Sequence, residues 1–107
     1  MKIAAAQINP TIGDIHGNVE KILQYIGRAK ELGAQLVVFP ELCLTGYPPR
    51  DLLDRPAFIE QNIAALGELA PKVKDISALV GFVEKNLSAE GKPLYNAAAL
   101  LEGGEIA

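Results

Sequence analysis

Glu41 is the residue of this sequence best placed to do chemistry, because it follows an apolar segment and has no basic neighbour. No Lys, Arg or His lies within eight positions on either side of it. The preceding run, Leu36–Phe39, predicts a strand buried on both faces, and Pro40 ends that strand by removing a backbone donor. Ligands bind at the carboxyl ends of strands in open α/β sheets, and an apolar environment disfavours a charged carboxylate. We therefore predict a partly buried Glu41 that faces a cavity and acts as a general base.

A second interpretation of Glu41 stays open, because a Pro-Glu pair after a strand also begins many solvated loops. Cys43 follows closely, but no cation between Phe39 and Pro49 is present to activate its thiol, so we predict that it packs as an apolar side chain. Tyr47 lies in a turn that two prolines make rigid. It is predicted either to shape this loop or to form a substrate-binding wall beside Glu41.

Composition limits the class of protein. The 107 residues are 50% hydrophobic, which predicts one domain, residues 1–107, with a single core. The net charge is −3 and the ten Lys and Arg are scattered, which argues against nucleic acid as a partner. One cysteine excludes an internal disulfide and favours a reducing compartment. The apolar amino terminus is interrupted by Gln7 and Asn9, so we predict no membrane span and a cytoplasmic location.

Periodicity predicts an α/β fold in the order βαβαββ. Strands are predicted at 3–8, 36–39, 78–83 and 94–101, with amphipathic helices at 18–32 and from Pro56 to Leu69. Gly33 is predicted to end the first helix, Asp54 to cap the second, and residues 86–93 to form a polar connection. A turn at Gly103-Gly104 leads into a further strand that opens at Glu105. Because such a strand leaves apolar faces uncovered, we expect the fold to be incomplete at the C-terminus.

The hexapeptide Gly13–Asn18 resembles the first metal-binding motif of calcineurin-like metallophosphoesterases, in which an aspartate and a histidine bind two metals. Here it does not follow directly from an apolar strand, and no second metal-binding segment follows it. The favoured interpretation is a tight turn, with Asp14 and Asn18 capping a helix and His16 at the surface. We therefore predict no metal site.

Three segments together resemble the nitrilase superfamily of carbon–nitrogen hydrolases. They are the amino-terminal run 3–10, the Gly13-Asp14 turn with its helix, and Phe39–Leu42 followed by Thr45–Tyr47. More narrowly, the stretches 7–15 and 45–53 are similar to the glutaminase domains of glutamine-dependent NAD synthetases. The resemblance extends over essentially the whole chain.

This resemblance implies part of an α-β-β-α sandwich and a catalytic Glu, Lys and Cys. Of these three residues, only the glutamate has a counterpart in this chain. It corresponds to Glu41, which would act as the general base toward the cysteine thiol. The lysine and the nucleophilic cysteine are expected beyond Ala107, so the chain alone is expected to be inactive. The substrate would be glutamine or another small amide.

The full-length enzyme implied by the resemblance is an ATP-dependent synthetase that makes NAD from deamido-NAD with the released ammonia. ATP and magnesium are expected in its second domain, with no cofactor in this chain, and a homo-oligomer is expected. The alternatives are a stand-alone amidase or ureidopropionase-like hydrolase, the metallophosphoesterase described above, and a non-catalytic interaction or folding unit.

Overall fold

The computed structural model describes residues 1–46, 55–85 and 94–107, in which strands and helices alternate before a final hairpin. The elements in chain order are β1 (Ile3–Ala5), α1 (Ile15–Glu31), β2 (Leu36–Val38), α2 (Pro56–Leu69), β3 (Ser77–Lys85), β4 (Leu94–Glu102) and β5 (Glu105–Ile106). The predicted βαβαββ order is confirmed, including the strand that opens at Glu105. The predicted cap Asp54 and the connection 86–93 lie outside the described residues. Neither described helix combines the length and apolarity needed to cross a membrane.

The five strands form one sheet in the order β1-β2-β3-β4-β5. β1, β2 and β3 are parallel, so the two connections between them must cross over the sheet. The first connection contains α1 and the second contains α2. β3 and β4 are antiparallel over eight residue pairs, and β4 returns into β5 through Gly103-Gly104. Both glycines have a positive φ, +61° and +83°, as the predicted turn requires.

The core lies between the helices and one face of the sheet. The side chains of Val37, Ala78, Val80 and Leu101 point to that face and are buried, and α1 and α2 pack against each other above it. On the opposite face Leu36, Val38 and Leu79 are only half-buried and Ala98 is exposed. The expectation that β2 is buried on both faces is therefore wrong for this chain, because the described helices cover one face only.

The start of α1 differs from the prediction. Its N-cap is Asp14, whose side chain accepts a hydrogen bond from the Gly17 backbone at 3.0 Å, so the helix begins three residues earlier than expected. The capping role predicted for Asp14 is confirmed. That predicted for Asn18 is wrong, since this residue lies inside α1 and is fully buried. His16 is exposed as expected, but it belongs to the first turn of the helix.

Candidate active site

Glu41 lies at the rim of a cleft of about 310 Å³ on the sheet face that the helices leave uncovered. The cleft is lined by Phe39, Pro40, Glu41, Leu79, Gly81, Asn96, Ala97 and Ala98. A larger cleft of about 410 Å³ lies between α1 and α2 and shares no residue with it. Of these two clefts in the described part of the chain, the one at Glu41 combines a carboxylate with the carboxyl end of a parallel strand, which is where open α/β sheets bind ligands. We therefore take the Glu41 cleft as the candidate active site.

The exposure of Glu41 differs from the sequence-based expectation of partial burial. Its side chain is exposed, while the four residues that follow it, Leu42–Thr45, are buried. The cause is the open face of the sheet, since no described element packs over the cleft. The predicted position at the end of β2 and beside a recess is observed, whereas the predicted dry environment is absent from this chain.

Residues 41–45, here named the Glu41 turn, lie along the edge of β3 beyond the end of β2. The Phe39 amide donates to the Leu79 carbonyl at 3.0 Å, and the Leu44 amide then donates to the Gly81 carbonyl at 3.3 Å. Within the turn, Leu42 has a φ of +51°, a left-handed conformation that costs a non-glycine residue about 1–2 kcal/mol. Such a conformation persists only where surrounding contacts determine it, and the hydrogen bonds to β3 are contacts of that kind.

Gly81 allows the Glu41 turn to lie directly against β3. A Cβ at this position would come within 2.5 Å of the Leu42 backbone nitrogen and 2.8 Å of the Pro40 carbonyl oxygen. Both neighbours are backbone atoms on either side of Glu41, so neither can rotate away. The absence of a side chain at Gly81 therefore fixes how closely the carboxylate approaches the sheet.

Asn18 connects the Glu41 turn to the loop after β1. Its Nδ2 donates to the carbonyls of Thr11 and Leu44, both at 2.9 Å, and its Oδ1 accepts from the Thr11 amide at 2.8 Å. The Gly13 amide also donates to the Thr45 carbonyl at 2.9 Å. A fully buried amide is tolerated only when its polar atoms are paired, and here both of its polar atoms are. Asn18 thus connects α1 to the Leu44 end of the Glu41 turn.

Asn62, on α2, pairs with the part of β3 that extends past the turn. Its Oδ1 accepts from the Val83 amide at 3.1 Å and its Nδ2 donates to the Val83 carbonyl at 2.6 Å. One side-chain amide thereby satisfies both backbone groups that a neighbouring strand would otherwise pair. On the side of β3 that faces β2, the backbone hydrogen bonds made by β2 are therefore followed by those of Leu44 and then of Asn62.

Cys43 is fully buried in the Glu41 turn, with its Sγ 3.6 Å from the Gly81 carbonyl oxygen. Loss of hydration on burial raises the pKa of the Cys43 thiol from 9.0 to about 11. A nucleophilic cysteine needs the opposite shift, because the thiolate is the reactive form. The predicted packing role of Cys43 is confirmed.

Comparison with known proteins gives the chain its family. The model of the carbon-nitrogen hydrolase family matches residues 2–107. The chain belongs to the carbon–nitrogen hydrolase family. It is 48% identical over 108 residues to a glutamine-dependent NAD(+) synthetase of Synechocystis, an alignment that covers 97% of this chain and 19% of that protein. The chain spans about a fifth of the length of the curated relatives it matches.

Solved structures agree with this family assignment. A glutamine-dependent NAD(+) synthetase from Cytophaga hutchinsonii superposes with a TM-score of 0.87 and 32% identity, covering 97% of this chain and 17% of that one. A mutant amidase from Nesterenkonia superposes with a TM-score of 0.79 and 29% identity, covering 100% of this chain and 40% of that one. That amidase structure shows the acetamide moiety of fluoroacetamide added covalently at its active-site cysteine. The sheet with its helices is therefore part of a nitrilase-type fold, as expected from the sequence.

The structure also gives the positions of the other residues singled out in the sequence. Tyr47 lies outside the described residues. Asp14 caps α1 and His16 lies at the surface, and no group of three His, Cys, Asp or Glu side chains in residues 1–46, 55–85 and 94–107 is arranged to hold a metal. The family match excludes the metallophosphoesterase interpretation, because the chain belongs to another family.

Asn96 is a site residue that sequence reasoning missed. It lies on β4, and its Nδ2 donates a hydrogen bond to Glu41 Oε1. A polar side chain within the nearly continuous apolar run of Leu94–Leu101 is a signal that was available in the sequence. Asn18 and Asn62 gave a comparable signal, since each occupies a position of its helix's apolar stripe.

Replacing Gly81 with alanine tests the close approach of the Glu41 turn to β3. Gly81→Ala should destabilise the chain by about 1–3 kcal/mol, because the new Cβ overlaps backbone atoms. The measurement is urea unfolding followed by circular dichroism. The matched control is Gly67→Ala on α2, where a Cβ meets nothing within 4 Å and should stabilise by about 0.5–1 kcal/mol. Equal effects of the two substitutions would contradict the packing described here.

The substitution Asn18→Leu tests the connection between α1 and the turn. Leucine has a similar size but leaves the Leu44 carbonyl and the Thr11 backbone without partners, at a cost of about 1–3 kcal/mol for each buried group. We expect the free energy of unfolding to fall by at least about 2 kcal/mol. Gln24→Leu, on the exposed side of the same helix, should change it by less than about 0.5 kcal/mol. A tolerated Asn18→Leu would show that these bonds are dispensable.

Thiol labelling tests the burial of Cys43, the only cysteine in the chain. With a pKa of about 11, the folded chain at pH 8 should react with Ellman's reagent at least about 100-fold more slowly than the chain in guanidinium. The same shift makes the free energy of unfolding depend on pH. The unfolded thiol ionises near pH 9 and the folded thiol near pH 11. The contribution of the protonated thiol to the free energy of unfolding is therefore complete at neutral pH and is lost as the pH rises through this interval. Rapid labelling of the folded chain would refute the assignment.

Proposed function

We propose that this chain forms the general-base side of a glutamine-hydrolysing site in a glutamine-dependent NAD synthetase. The observation that supports the proposal is the position of Glu41, at the carboxyl end of β2 on the rim of a cleft. This arrangement occurs in a chain that is 48% identical to a synthetase of that name. A carboxylate at this position is suited to take a proton from a nucleophile as the nucleophile attacks.

In the proposed reaction Glu41 accepts the proton of a cysteine thiol, and the thiolate attacks the amide carbon of glutamine. A lysine stabilises the tetrahedral oxyanion, and Glu41 returns the proton to the amide nitrogen, which leaves as ammonia when the carbon–nitrogen bond breaks. Water then hydrolyses the thioester to glutamate and restores the thiol. We assign the cysteine and the lysine to residues outside this chain. The raised pKa of Cys43 argues against it as the nucleophile, and no described lysine lines the cleft. The covalent adduct at the cysteine of the Nesterenkonia amidase supports a covalent route.

The released ammonia would serve the ATP-dependent conversion of deamido-NAD to NAD in a second domain. ATP with magnesium supplies the adenylation that activates deamido-NAD there. The cleft described here offers a single carboxylate, which is a poor donor set for magnesium, so we assign both groups to the rest of the full-length enzyme. We further propose that Tyr47 contacts the amide substrate, that the enzyme is a homo-oligomer, and that it acts in the cytoplasm.

A stand-alone amidase is the second candidate, favoured by the structural match to the Nesterenkonia enzyme. The two differ in whether the coding sequence continues into an ATP-binding domain. They also differ in whether hydrolysis of glutamine is linked to consumption of ATP and deamido-NAD.

The substitution Glu41→Gln in the full-length synthetase tests the proposed base. Glutamine keeps the shape of the side chain and cannot accept the proton, so glutamine-dependent NAD synthesis should fall at least about 100-fold. Synthesis from free ammonia should be retained, because it bypasses amide hydrolysis. Both rates are measured as NAD formed from deamido-NAD and ATP.

The matched control is Glu31→Gln, which changes an exposed carboxylate at the end of α1 and should affect neither rate. Equal loss of both activities in Glu41→Gln would indicate a structural role. Retention of the glutamine-dependent rate would contradict the proposed function.

A further inference from the structure

The contact between Asn96 and Glu41 connects two segments that are 55 residues apart in sequence. Asn96 lies on β4 opposite Val83 of β3, and Glu41 lies beyond β2, on the other side of β3. The two side chains meet across β3 on the open sheet face. Gly81 and Ala98 border the contact and have no side chain beyond Cβ, so the carboxylate and the amide can reach each other.

The chemistry of this contact suits a residue that orients a base. An ionised carboxylate only accepts hydrogen bonds, so the amide must present its Nδ2, as observed. A lysine or arginine in the same place would add a full positive charge and hold the carboxylate in its charged form. The only ion pair in the described part of the chain is Lys85–Glu60, which does not involve Glu41. Within the described part of the chain, the hydrogen-bond partner of the candidate base is therefore a neutral donor.

We propose that Asn96 is a positioning residue of the hydrolase site. Its Nδ2 holds Glu41 Oε1, and we assign the other oxygen, Oε2, to accept the proton of the nucleophile. The inference rests on the proposed function of Glu41 as the base and deepens it. A misplacement of about 1 Å in a reacting group can lower a rate by about 100-fold, so orientation of this carboxylate has a measurable effect.

The test uses the full-length synthetase with Asn96→Ala and Asn96→Asp. Asn96 is exposed in this chain, and neither alanine nor aspartate is larger than asparagine, so neither variant introduces a steric clash. Asn96→Ala should lower kcat of glutamine-dependent synthesis by about 10–100-fold, leave KM for glutamine within about twofold, and leave the ammonia-dependent rate unchanged.

Asn96→Asp adds a readout that a purely structural role would not change. Aspartate has the same size, but it removes the donor and places a second carboxylate beside Glu41. Because like charges disfavour ionisation, the acid limb of the glutamine-dependent pH–rate profile should move at least about half a pH unit upward. The matched controls are Gln35→Ala and Gln35→Glu, which make the same changes of chemistry at an exposed amide just before β2, at the end of that strand opposite to Glu41. Both should have the kinetics of the unaltered enzyme.

Each outcome decides the inference. An unchanged kcat in Asn96→Ala, a change in KM alone, an equal fall in both activities, or an unmoved acid limb in Asn96→Asp would overturn it. Failure of the proposed function is separate, since it appears as a Glu41→Gln enzyme that keeps glutamine-dependent synthesis. An inactive Glu41→Gln together with a normal Asn96→Ala would refute the positioning role alone.

Discussion

The close packing of the Glu41 turn on β3 is the constraint on which the candidate site depends. β2 ends at Val38, whereas β3 continues to Lys85, so β3 has backbone groups beyond the reach of its parallel neighbour. Unpaired backbone groups inside a protein are costly, and they are satisfied here in succession by the Leu44 amide and the Asn62 side chain. The turn therefore replaces a strand along this edge. Glu41 lies on the open face because the rest of the turn packs against β3.

Buried amides on the two helices determine the register of this packing. Apolar residues at positions 18 and 62 would also fill the stripes of their helices, and they would tolerate small shifts along the sheet. Asn18 and Asn62 tolerate none without losing paired hydrogen bonds in a dry environment, where an unpaired polar group costs about 1–3 kcal/mol. They thus restrict the Glu41 turn to a single position relative to the two helices.

The sequence was sufficient for the order of the elements and for the position of Glu41, because both depend on local signals. The periodicity of α1 and α2, the apolar run before Pro40 and the glycines at 103 and 104 all act within a few residues. The ends of elements were less accurate: β1 was expected to reach Ile8 but stops at Ala5, and β3 is longer than predicted. Strand ends depend on where a neighbouring strand stops, which is not a local property.

The amides of the site could not be predicted from local pattern, because their partners are remote. Asn18, Asn62 and Asn96 bond to groups that are 26, 21 and 55 residues away. Each was visible only as a polar residue in an apolar pattern. Their partners became apparent only when the sheet brought β2, β3 and β4 side by side.

The exposure of Glu41 and the half-buried residues beside the cleft have the same cause. In an α-β-β-α sandwich each sheet has helices on one face and the other sheet on its second face. Here the helices occupy one face, and Leu36, Val38 and Leu79 remain half-exposed on the other. Full burial of a Leu or Val side chain is worth about 1.5–3 kcal/mol, so a second sheet on this face would be stabilised by apolar residues that are already present. The same layer would exclude water from the cleft and strengthen the electrostatic interactions of Glu41. The residues that would bind the second sheet are therefore also those that would give the carboxylate the dry environment expected of a general base.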